Sequence, residues 1–214
     1  VMAQQQVDGP VGTGDGGKIY KVKIANATPE SSLLFDTSET HIIALAADKA
    51  GNLYAGTDSS GIVMKFGADG KPFGLLDSSL REIHSIDVGP DGSVYVLALG
   101  ESASAKPAEP AATPATPESK TVSVDKPNPA NPEPAAKSKY DLSAAKSAVY
   151  RIMSDGGTDI LWASPTVVGF SLYAHQTGRG VLLGKSDKGR IYNIGNDGRE
   201  TLVLQTDASQ ISTI

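Results

Sequence analysis

The chain has 214 residues, a formal net charge of −5 and no cysteine. The absence of cysteine excludes disulfides, thiolate metal sites and a cysteine nucleophile. The acidic balance, without any basic tract, predicts no nucleic-acid partner, because binding to phosphates depends on clustered lysine and arginine. No apolar run approaches the roughly 18–20 residues that a spanning helix requires, so no membrane span is predicted in this chain.

The first predicted elements introduce a pattern that recurs along the chain. A glycine-rich stretch at 12–18 is followed by a predicted strand at 19–22 and another at 33–35. Four pairs of adjacent residues occupy equivalent positions of this pattern, and they are separated by 41, 86 and 42 residues. The pairs are Ala44-Leu45, Ser85-Ile86, Ser171-Leu172 and Thr213-Ile214. The long step contains a Pro/Ala-rich insert of 46 residues, 101–146, and removing it leaves 40. The chain is therefore a repeat of about 41 residues.

Within each repeat, short apolar segments alternate with turns rich in glycine, aspartate and asparagine, which is typical of antiparallel hairpins. We name these segments strands a to d. Strand a is predicted at 42–46, 83–87 and 170–173, and strand b at 53–56, 94–97 and 181–184. Strand c is predicted at 19–22, 62–66, 149–152 and 191–194, and strand d at 33–35, 74–76, 160–162 and 202–204.

The spacing between strand d and the next strand a is constant. One apolar residue of strand d (Leu34, Leu75, Leu161 or Val203) always lies eight residues before the start of the following strand a (Ile42, Ile83, Gly169 or Ile211). An open β-sandwich explains strands and turns but not a fixed four-strand period. A period of ~40–45 residues with four strands is instead typical of β-propeller blades.

The predicted fold class is all-β, a β-propeller of four-stranded antiparallel blades with about four blades present. The strands count as b, c and d of one blade, three complete blades, and strand a of a fifth unit at 211–214. Two arrangements remain open. In the first arrangement, the chain is a fragment of a six- to eight-bladed ring. In the second, it is a closed four-bladed ring in which 211–214 completes the first blade. Residues 1–100 and 147–214 carry the blades in either case.

The insert at 101–146 lies where strands b and c of the third blade should join. It holds 8 of the 13 prolines of the chain and almost no large apolar residues. Such a segment buries too little surface to offset the entropy of ordering, so it is predicted to be disordered. Its role is either that of a tether or docking arm or that of a tolerated loop insertion, since the cost of loop closure grows only logarithmically with length.

Motifs that resemble chemical sites are explained by the repeat. Residues 12–18 match the first seven positions of a phosphate-binding P-loop, but the eighth is Ile19 instead of Ser or Thr. The same place in other blades is a b–c hairpin, and no helix follows it. The Asp-Gly pairs lack the spacing of a calcium loop and are predicted to be hairpin turns at 69–70, 155–156 and 197–198.

The three histidines, His41, His84 and His175, fall at different positions of the repeat, which argues against a symmetric metal cluster. The sequence contains neither a Gly-x-Ser-x-Gly elbow nor a His-Glu-x-x-His pair. No catalytic residue, metal ligand or cofactor is therefore predicted.

The repeat resembles the bacterial propeller repeats grouped as WD40-like, NHL-like or two-component-regulator propellers. The residues that carry the resemblance are 42–57 (IIALAADKAGNLYAGT), 61–70 (GIVMKFGADG), 83–96 (IHSIDVGPDGSVYV) and 182–198 (LLGKSDKGRIYNIGNDG). The chain lacks the Trp-Asp and Gly-His pairs of true WD40 blades. The resemblance implies a periplasmic or extracellular binding or sensory protein.

The resemblance also implies that the d–a and b–c connections share one face, while tight a–b and c–d turns occupy the other. Variable loops on a rigid scaffold are where binding usually occurs. We therefore expect a partner surface on the first face, formed by charged loop residues: Asp15, Asp58, Arg81, Glu82, Lys185 and Asp187.

Three functions fit these observations. The leading hypothesis is a non-catalytic propeller that binds a protein or a small-molecule ligand. The alternative is a metal-dependent lactonase, which needs Glu, Asn and Asp side chains converging from the innermost strands. Strand a is mostly Ile, Ala, Ser and Leu, with only Asp48 and Asp87 acidic nearby. The third possibility is the sensory propeller of a signalling receptor.

Overall fold

The computed structural model describes residues 7–25, 28–100 and 140–214. Over these ranges the chain forms fifteen strands, and it contains no helix long and apolar enough to cross a membrane.

Four antiparallel sheets follow one another along the chain. The first contains β1 (Val7–Gly12), β2 (Lys18–Ala25) and β3 (Thr28–Asp36). The second contains β4 (His41–Ala47), β5 (Leu53–Asp58), β6 (Ile62–Phe66) and β7 (Pro72–Asp77). The third contains β8 (Glu82–Val88), β9 (Val94–Leu99), β10 (Ser147–Ile152) and β11 (Thr158–Ser164). The fourth contains β12 (Gly169–Ala174), β13 (Gly180–Lys185), β14 (Arg190–Gly195) and β15 (Glu200–Gln205).

These sheets are the predicted blades, and the predicted all-β fold is confirmed. Each sheet pairs its strands in chain order, so the second, third and fourth have the order a-b-c-d and the first has b-c-d. Neighbouring blades touch mainly through strands a and b, whereas their outer strands make few contacts. Strand a therefore lies at the crowded inner edge, and the blades splay apart towards strand d.

Three hydrophobic clusters each fill the space between two neighbouring blades. In the first cluster, Ile19 of the first blade packs with Phe66 of the second blade. In the second cluster, Val63 of the second blade packs with Ile83 of the third blade. The third cluster contains Leu99 of the third blade and Leu183 of the fourth blade. Strands β5 and β9 are buried at every residue, as expected for a strand covered on both faces.

The constant eight-residue spacing has a structural basis in two sets of β-bulges. The strand d residues Leu34, Leu75, Leu161 and Val203 are each skipped in the pairing of strands c and d. In strand a, Ile43, His84 and Phe170 are skipped in the same way. Because a bulge bends its strand and increases the local twist, bulges at fixed repeat positions give the blades a common shape.

Neighbouring blades interlock at the position where strand a begins. A strand b glycine faces an isoleucine of the following repeat at three places, namely Gly12 with Ile42, Gly56 with Ile83 and Gly184 with Ile211. A Cβ added at Gly12 would lie 2.6 Å from Ile42 Cγ2, so the isoleucine fills the space that a side chain would need. Between the third and fourth blades the sizes are reversed, and Leu97 of strand b faces Gly169 of strand a.

The predicted fifth strand a at 211–214 is wrong, because these residues form no strand. Strand a is held by the ladder to strand b of its own blade, and 211–214 pairs with none of the described strands, although one edge of β1 is unpaired. Ile211 nevertheless occupies the interlocking position against Gly184. Within the described residues, the first sheet consists of β1, β2 and β3 only, so 211–214 does not complete it as the closed four-bladed arrangement requires.

The insert emerges from the b–c connection of the third blade, as predicted. Strands β9 and β10 pair directly, with Leu99 opposite Ser147, and the Gly100 N–H donates to the Lys146 carbonyl at 2.8 Å. Most of the insert lies outside the described residues, and its predicted disorder stays a prediction. Its last part, 140–146, is described, and there Leu142 is buried in the cluster between the second and third blades.

The P-loop lookalike is a b–c hairpin, as the repeat predicts. Strand β1 ends at Gly12 and β2 begins at Lys18, and the Thr13 N–H donates to the Lys18 carbonyl at 2.9 Å. Gly16 and Gly17 adopt φ of 83° and 51°, values that glycine tolerates and that the turn requires.

Candidate functional site

Two faces of the blades differ in their connections, as the resemblance implies. The loop face carries the b–c and d–a connections, which touch each other within a blade. In the second blade, for example, the Ser78 N–H donates to the Gly61 carbonyl at 3.0 Å. The turn face carries the a–b and c–d turns, which are tight and closed by glycine. Gly92 and Gly156 there have φ of 77° and 91°.

A hydroxyl residue fixes each d–a connection on the loop face. The backbone N–H two residues further along donates to this side-chain oxygen at 3.1, 3.0, 3.3 and 3.2 Å in the successive blades, at Thr37, Ser78, Ser164 and Thr206. Such bonds hold the backbone in a defined turn. The backbone of the d–a connections on the loop face is therefore held in a defined conformation.

A row of four ionisable side chains crosses the loop face from the first blade to the end of the second. His41, at the start of β4, lies between two carboxylates, with Nε2 at 4.0 Å from Asp15 Oδ1 and Nδ1 at 3.3 Å from Asp58 Oδ2. The other oxygen of Asp58 lies 3.8 Å from Nε of Arg81. We call Asp15, His41, Asp58 and Arg81 the His41 row.

The centre of the His41 row is partly buried, and its two ends are exposed. The Asp58 side chain is only 13% exposed, whereas Asp15 is fully exposed and Arg81 is 57% exposed. Asp58 Oδ1 also accepts the Ser59 N–H at 2.6 Å, and Ser59 has a φ of 84°. A non-glycine residue in this region is strained, so the hydrogen bond helps to hold the turn.

A second acid–histidine pair lies on the inner edge of the third blade. Glu82 Oε1 is 2.7 Å from His84 Nδ1, at the start of β8. His84 occupies the bulge of strand a, where it meets the ring of Phe170 edge-on at 6.4 Å. The Glu82 side chain is only 5% exposed, so the pair is largely enclosed.

Lys185, at the end of β13, is buried between the third and fourth blades. Its ammonium lies 2.5 Å from Glu200 Oε1, 3.9 Å from the centre of the Tyr192 ring and 4.5 Å from that of Trp162. Glu200 is held in turn by the indole N–H of Trp162 at 2.8 Å. Burial lowers the pKa of Lys185, and the Glu200 carboxylate opposes that shift. The ion pair lies within the fourth blade, and the Trp162 side chain, which contacts both of its members, joins it to the third blade.

The structure brings together three of the six residues that the sequence predicts for a partner surface: Asp15, Asp58 and Arg81. Glu82 faces His84 at a separate place and is buried. Asp187 pairs with Arg190 at 3.1 Å on the fourth blade. The expectation that Lys185 is an accessible loop charge is corrected, because its side chain turns into the space between two blades. The binding role of the whole set stays a prediction.

Sequence reasoning missed His41 as a member of the row. The signal was present in the register, because the first residue of strand a lies opposite the last residue of strand b, and His41 pairs with Asp58. The contact with Asp15 had no such signal, since it joins two blades. Over the described ranges, no group of three or more His, Asp or Glu side chains is arranged to hold a metal ion.

No protein-family model matches the sequence, and no curated protein matches it. Solved structures do resemble the fold. A chain of the nidogen/laminin complex has a TM-score of 0.58 and 11% identity, over 97% of this chain and 65% of that one. YCF48 bound to D1 peptide has a TM-score of 0.52 and 11% identity, over 92% and 49%. A putative 6-phosphogluconolactonase from Bacteroides fragilis has a TM-score of 0.51 and 12% identity, over 92% and 52%.

These structures are β-propellers. The fold of this chain is a β-propeller. At identities this low the similarity shows the fold alone, and propellers support many unrelated functions. The chain spans about half to two thirds of the length of the structures it matches.

Proposed function

We propose that this protein is a non-catalytic propeller that binds a protein or a small-molecule ligand through its loop face. The observation that carries the proposal is the His41 row, which brings charges from two blades to one place on that face. Its exposed ends have opposite charges, a carboxylate at Asp15 and a guanidinium at Arg81. Such a surface fits a partner that presents both a cation and an anion.

Two features of the row support binding over a purely structural role. The partly buried Asp58 is held by the Ser59 N–H and lies close to both His41 and Arg81, while Asp15 and Arg81 remain accessible. A rigid centre with accessible ends lowers the entropy that a partner must overcome, because the protein side is already ordered. The structures that share the fold include YCF48 bound to D1 peptide, which supports a peptide as one class of partner in this proposal.

The test uses charge-neutralising variants on the two faces. Asp15→Asn/Arg81→Gln removes both accessible charges of the row. Asp197→Asn/Arg199→Gln removes an exposed ion pair of the turn face and serves as the matched control. Immobilised protein is used for quantitative capture from an extract of the producing organism. A partner retained by wild type and control but reduced at least tenfold by the first variant supports the proposal. A partner lost with the control and retained by the first variant contradicts it.

The second candidate is a metal-dependent lactonase, supported by the fold shared with the putative 6-phosphogluconolactonase. The described residues do not fit such a centre by themselves, since no three His, Asp or Glu side chains converge in them. Glu82, at the start of the inner strand β8, is the described carboxylate that we select for its test. Calcium-dependent hydrolysis of gluconolactone by the full-length gene product, lost in Glu82→Gln, would support this function. Lack of turnover at millimolar calcium would exclude it.

A further inference from the structure

The spaces between blades on the turn face follow one plan with different side chains. In each, strand b of the earlier blade contributes one residue, its strand c a second, and the c–d turn of the later blade a third. The three positions carry Pro10, Lys21 and Ala68 between the first and second blades, Tyr54, Lys65 and Ser154 between the second and third, and Tyr95, Arg151 and Asn196 between the third and fourth. A basic side chain therefore enters every one of these spaces.

The space between the third and fourth blades is closed by these residues. The Tyr95 hydroxyl donates to Asn196 Oδ1 at 3.0 Å, and Asn196 Nδ2 donates to the Gly178 carbonyl at 2.8 Å. Arg151 is paired with Asp91 at 3.0 Å and lies over the Tyr95 ring. Tyr95 is completely buried as a result, and both the cation and the amide are satisfied within the protein.

The space between the second and third blades lacks this bridge. The Tyr54 hydroxyl donates to Asp48 of its own blade at 3.0 Å, and the position of the asparagine is occupied by the shorter Ser154. A cleft of about 550 Å³ opens there, within the size range of small-molecule sites. We call it the Tyr54 cleft, lined by Tyr54, Lys65, Lys71, Phe73, Met153 and Ser154.

One wall of the Tyr54 cleft is a row of three side chains across the second blade. Lys65 pairs directly with Tyr54 on one side and with Phe73 on the other, so the three side chains lie on the same face of the sheet. Phe73 is 66% exposed, an unusual exposure for a large aromatic ring beside a cleft. The opposite wall includes Met153 of the third blade. The cleft thus offers aromatic and apolar surface to a ligand.

The Tyr54 cleft holds two ammonium groups and two carboxylates, which lie at different places in its lining. Lys65 lies over the Tyr54 ring at 5.6 Å, and neither it nor Lys71 forms an ion pair with any residue in the described ranges. The two carboxylates at the rim each already accept an N–H of their own turn, Asp69 from Lys71 at 3.2 Å and Asp155 from Gly157 at 3.0 Å. These carboxylates stay charged but lie in the turns, whereas Lys65 lies between Tyr54 and Phe73 on the wall of the cleft. The ammonium group of Lys65 is therefore the charge that is set within the aromatic row.

We propose that the Tyr54 cleft binds a small organic acid with an aromatic body. Its anionic group lies between the ammonium groups of Lys65 and Lys71, and its ring packs on Phe73 and Met153. The equivalent arginine between the third and fourth blades has a carboxylate of its own protein in Asp91, and the ligand supplies that charge to Lys65. This site is on the opposite face from the His41 row and does not depend on the function proposed for that row.

The test measures binding of 2-naphthoate to the full chain by the fluorescence of the naphthoate. Neutral 2-naphthamide is the matched ligand. We expect saturable binding of naphthoate and at least tenfold weaker binding of naphthamide. Lys65→Gln/Lys71→Gln should weaken naphthoate at least tenfold, and Lys21→Gln in the neighbouring space should leave it unchanged. Equal affinity for both ligands, an equal effect of Lys21→Gln, or no saturable binding up to millimolar naphthoate overturns the proposal.

A variant that closes the cleft tests its location. Lys65→Arg/Ser154→Asn copies the arginine and asparagine of the closed space. It should abolish naphthoate binding while the unfolding midpoint stays unchanged or rises. Undiminished binding in this variant places the ligand elsewhere and overturns the proposal. If this variant does not fold, the result of the Lys65→Gln/Lys71→Gln variant decides whether the proposal holds.

Discussion

The interlock between blades predicts that Gly56→Ala destabilises the protein through a single methyl group. A Cβ at this position would lie 2.8 Å from Ile83 Cβ and still closer to Ile83 Cγ2. Ile83 is completely buried, so it cannot move aside without disturbing the core between the second and third blades. Overpacking of this kind costs about 1–3 kcal/mol. At roughly 2–4 °C per kcal/mol for a chain of this size, the melting temperature should fall by about 2–12 °C.

Gly74→Ala is the matched control, because Gly74 is also a strand glycine and a Cβ there would meet no atom within 4 Å. Its stability should stay within about 0.5 kcal/mol of wild type. The assay is denaturant unfolding followed by far-UV circular dichroism, with thermal melts of the same samples. If Gly56→Ala is as stable as Gly74→Ala, the glycine–isoleucine contact does not set the distance between blades and the reasoning fails.

The reversed pair between the third and fourth blades extends the test. Gly56→Leu/Ile83→Gly copies the arrangement of Leu97 and Gly169 and conserves side-chain volume across the contact. Each single variant should be strongly destabilised, one by overpacking and the other by a cavity. The double variant should recover about 1–3 kcal/mol relative to the sum of the singles. Additive effects would show that the two side chains do not occupy a shared space.

Three further predictions test the contacts around this frame. Burial and the hydrogen bond to Asp48 raise the pKa of Tyr54 to about 12. The contribution of protonated Tyr54 to the free energy of unfolding is therefore complete below pH 10 and is lost as pH rises towards 12. In urea unfolding, the advantage of wild type over Tyr54→Phe should therefore shrink by about 1–3 kcal/mol over that interval, and a constant difference would refute it. Asn196→Ala leaves the buried Tyr95 hydroxyl without its acceptor and should cost about 1–3 kcal/mol in denaturant unfolding, whereas Tyr95→Phe/Asn196→Ala should recover part of the loss. Deleting 103–138, between chain ends that already pair at Gly100 and Lys146, should preserve the strand spectrum and stabilise by about 1–2 kcal/mol through shorter loop closure; loss of folding would show that the insert is required.

The strands could be predicted because their signals are local and repeated. Alternating apolar residues and turn glycines recur at one period, so four weak copies of a pattern support each other. The eight-residue spacing even located the bulges at Leu34, Leu75, Leu161 and Val203, although the sequence alone did not show that these residues are skipped in the pairing. The strand at 211–214 failed for the same reason. A local pattern predicts that a strand can form, but a strand exists only where a partner completes its ladder.

The site could not be predicted to the same degree, because it depends on contacts between blades. Lys185 and Asp58 are both charged residues at the end of a strand b, so the repeat predicts the same exposed position for both side chains. The structure buries Lys185 against Trp162 of the preceding blade, whereas Asp58 stays on the loop face beside His41. Trp162 is 23 positions from Lys185 and His41 is 17 positions from Asp58, so the side-chain contacts lie beyond the reach of a local periodicity.

The comparison of equivalent spaces gives a physical reason to regard the Tyr54 cleft as a site instead of a packing defect. Between the third and fourth blades, the polar groups of Tyr95, Arg151 and Asn196 are satisfied by one another, by Asp91 and by the Gly178 carbonyl. Replacing Ser154 by asparagine and Lys65 by arginine would copy two of these residues between the second and third blades, on an unchanged backbone plan. The chain instead keeps a short residue at the turn, an unpaired ammonium and an exposed Phe73. A bound aromatic acid would pair with the ammonium group of Lys65 and cover the ring of Phe73 at the same time.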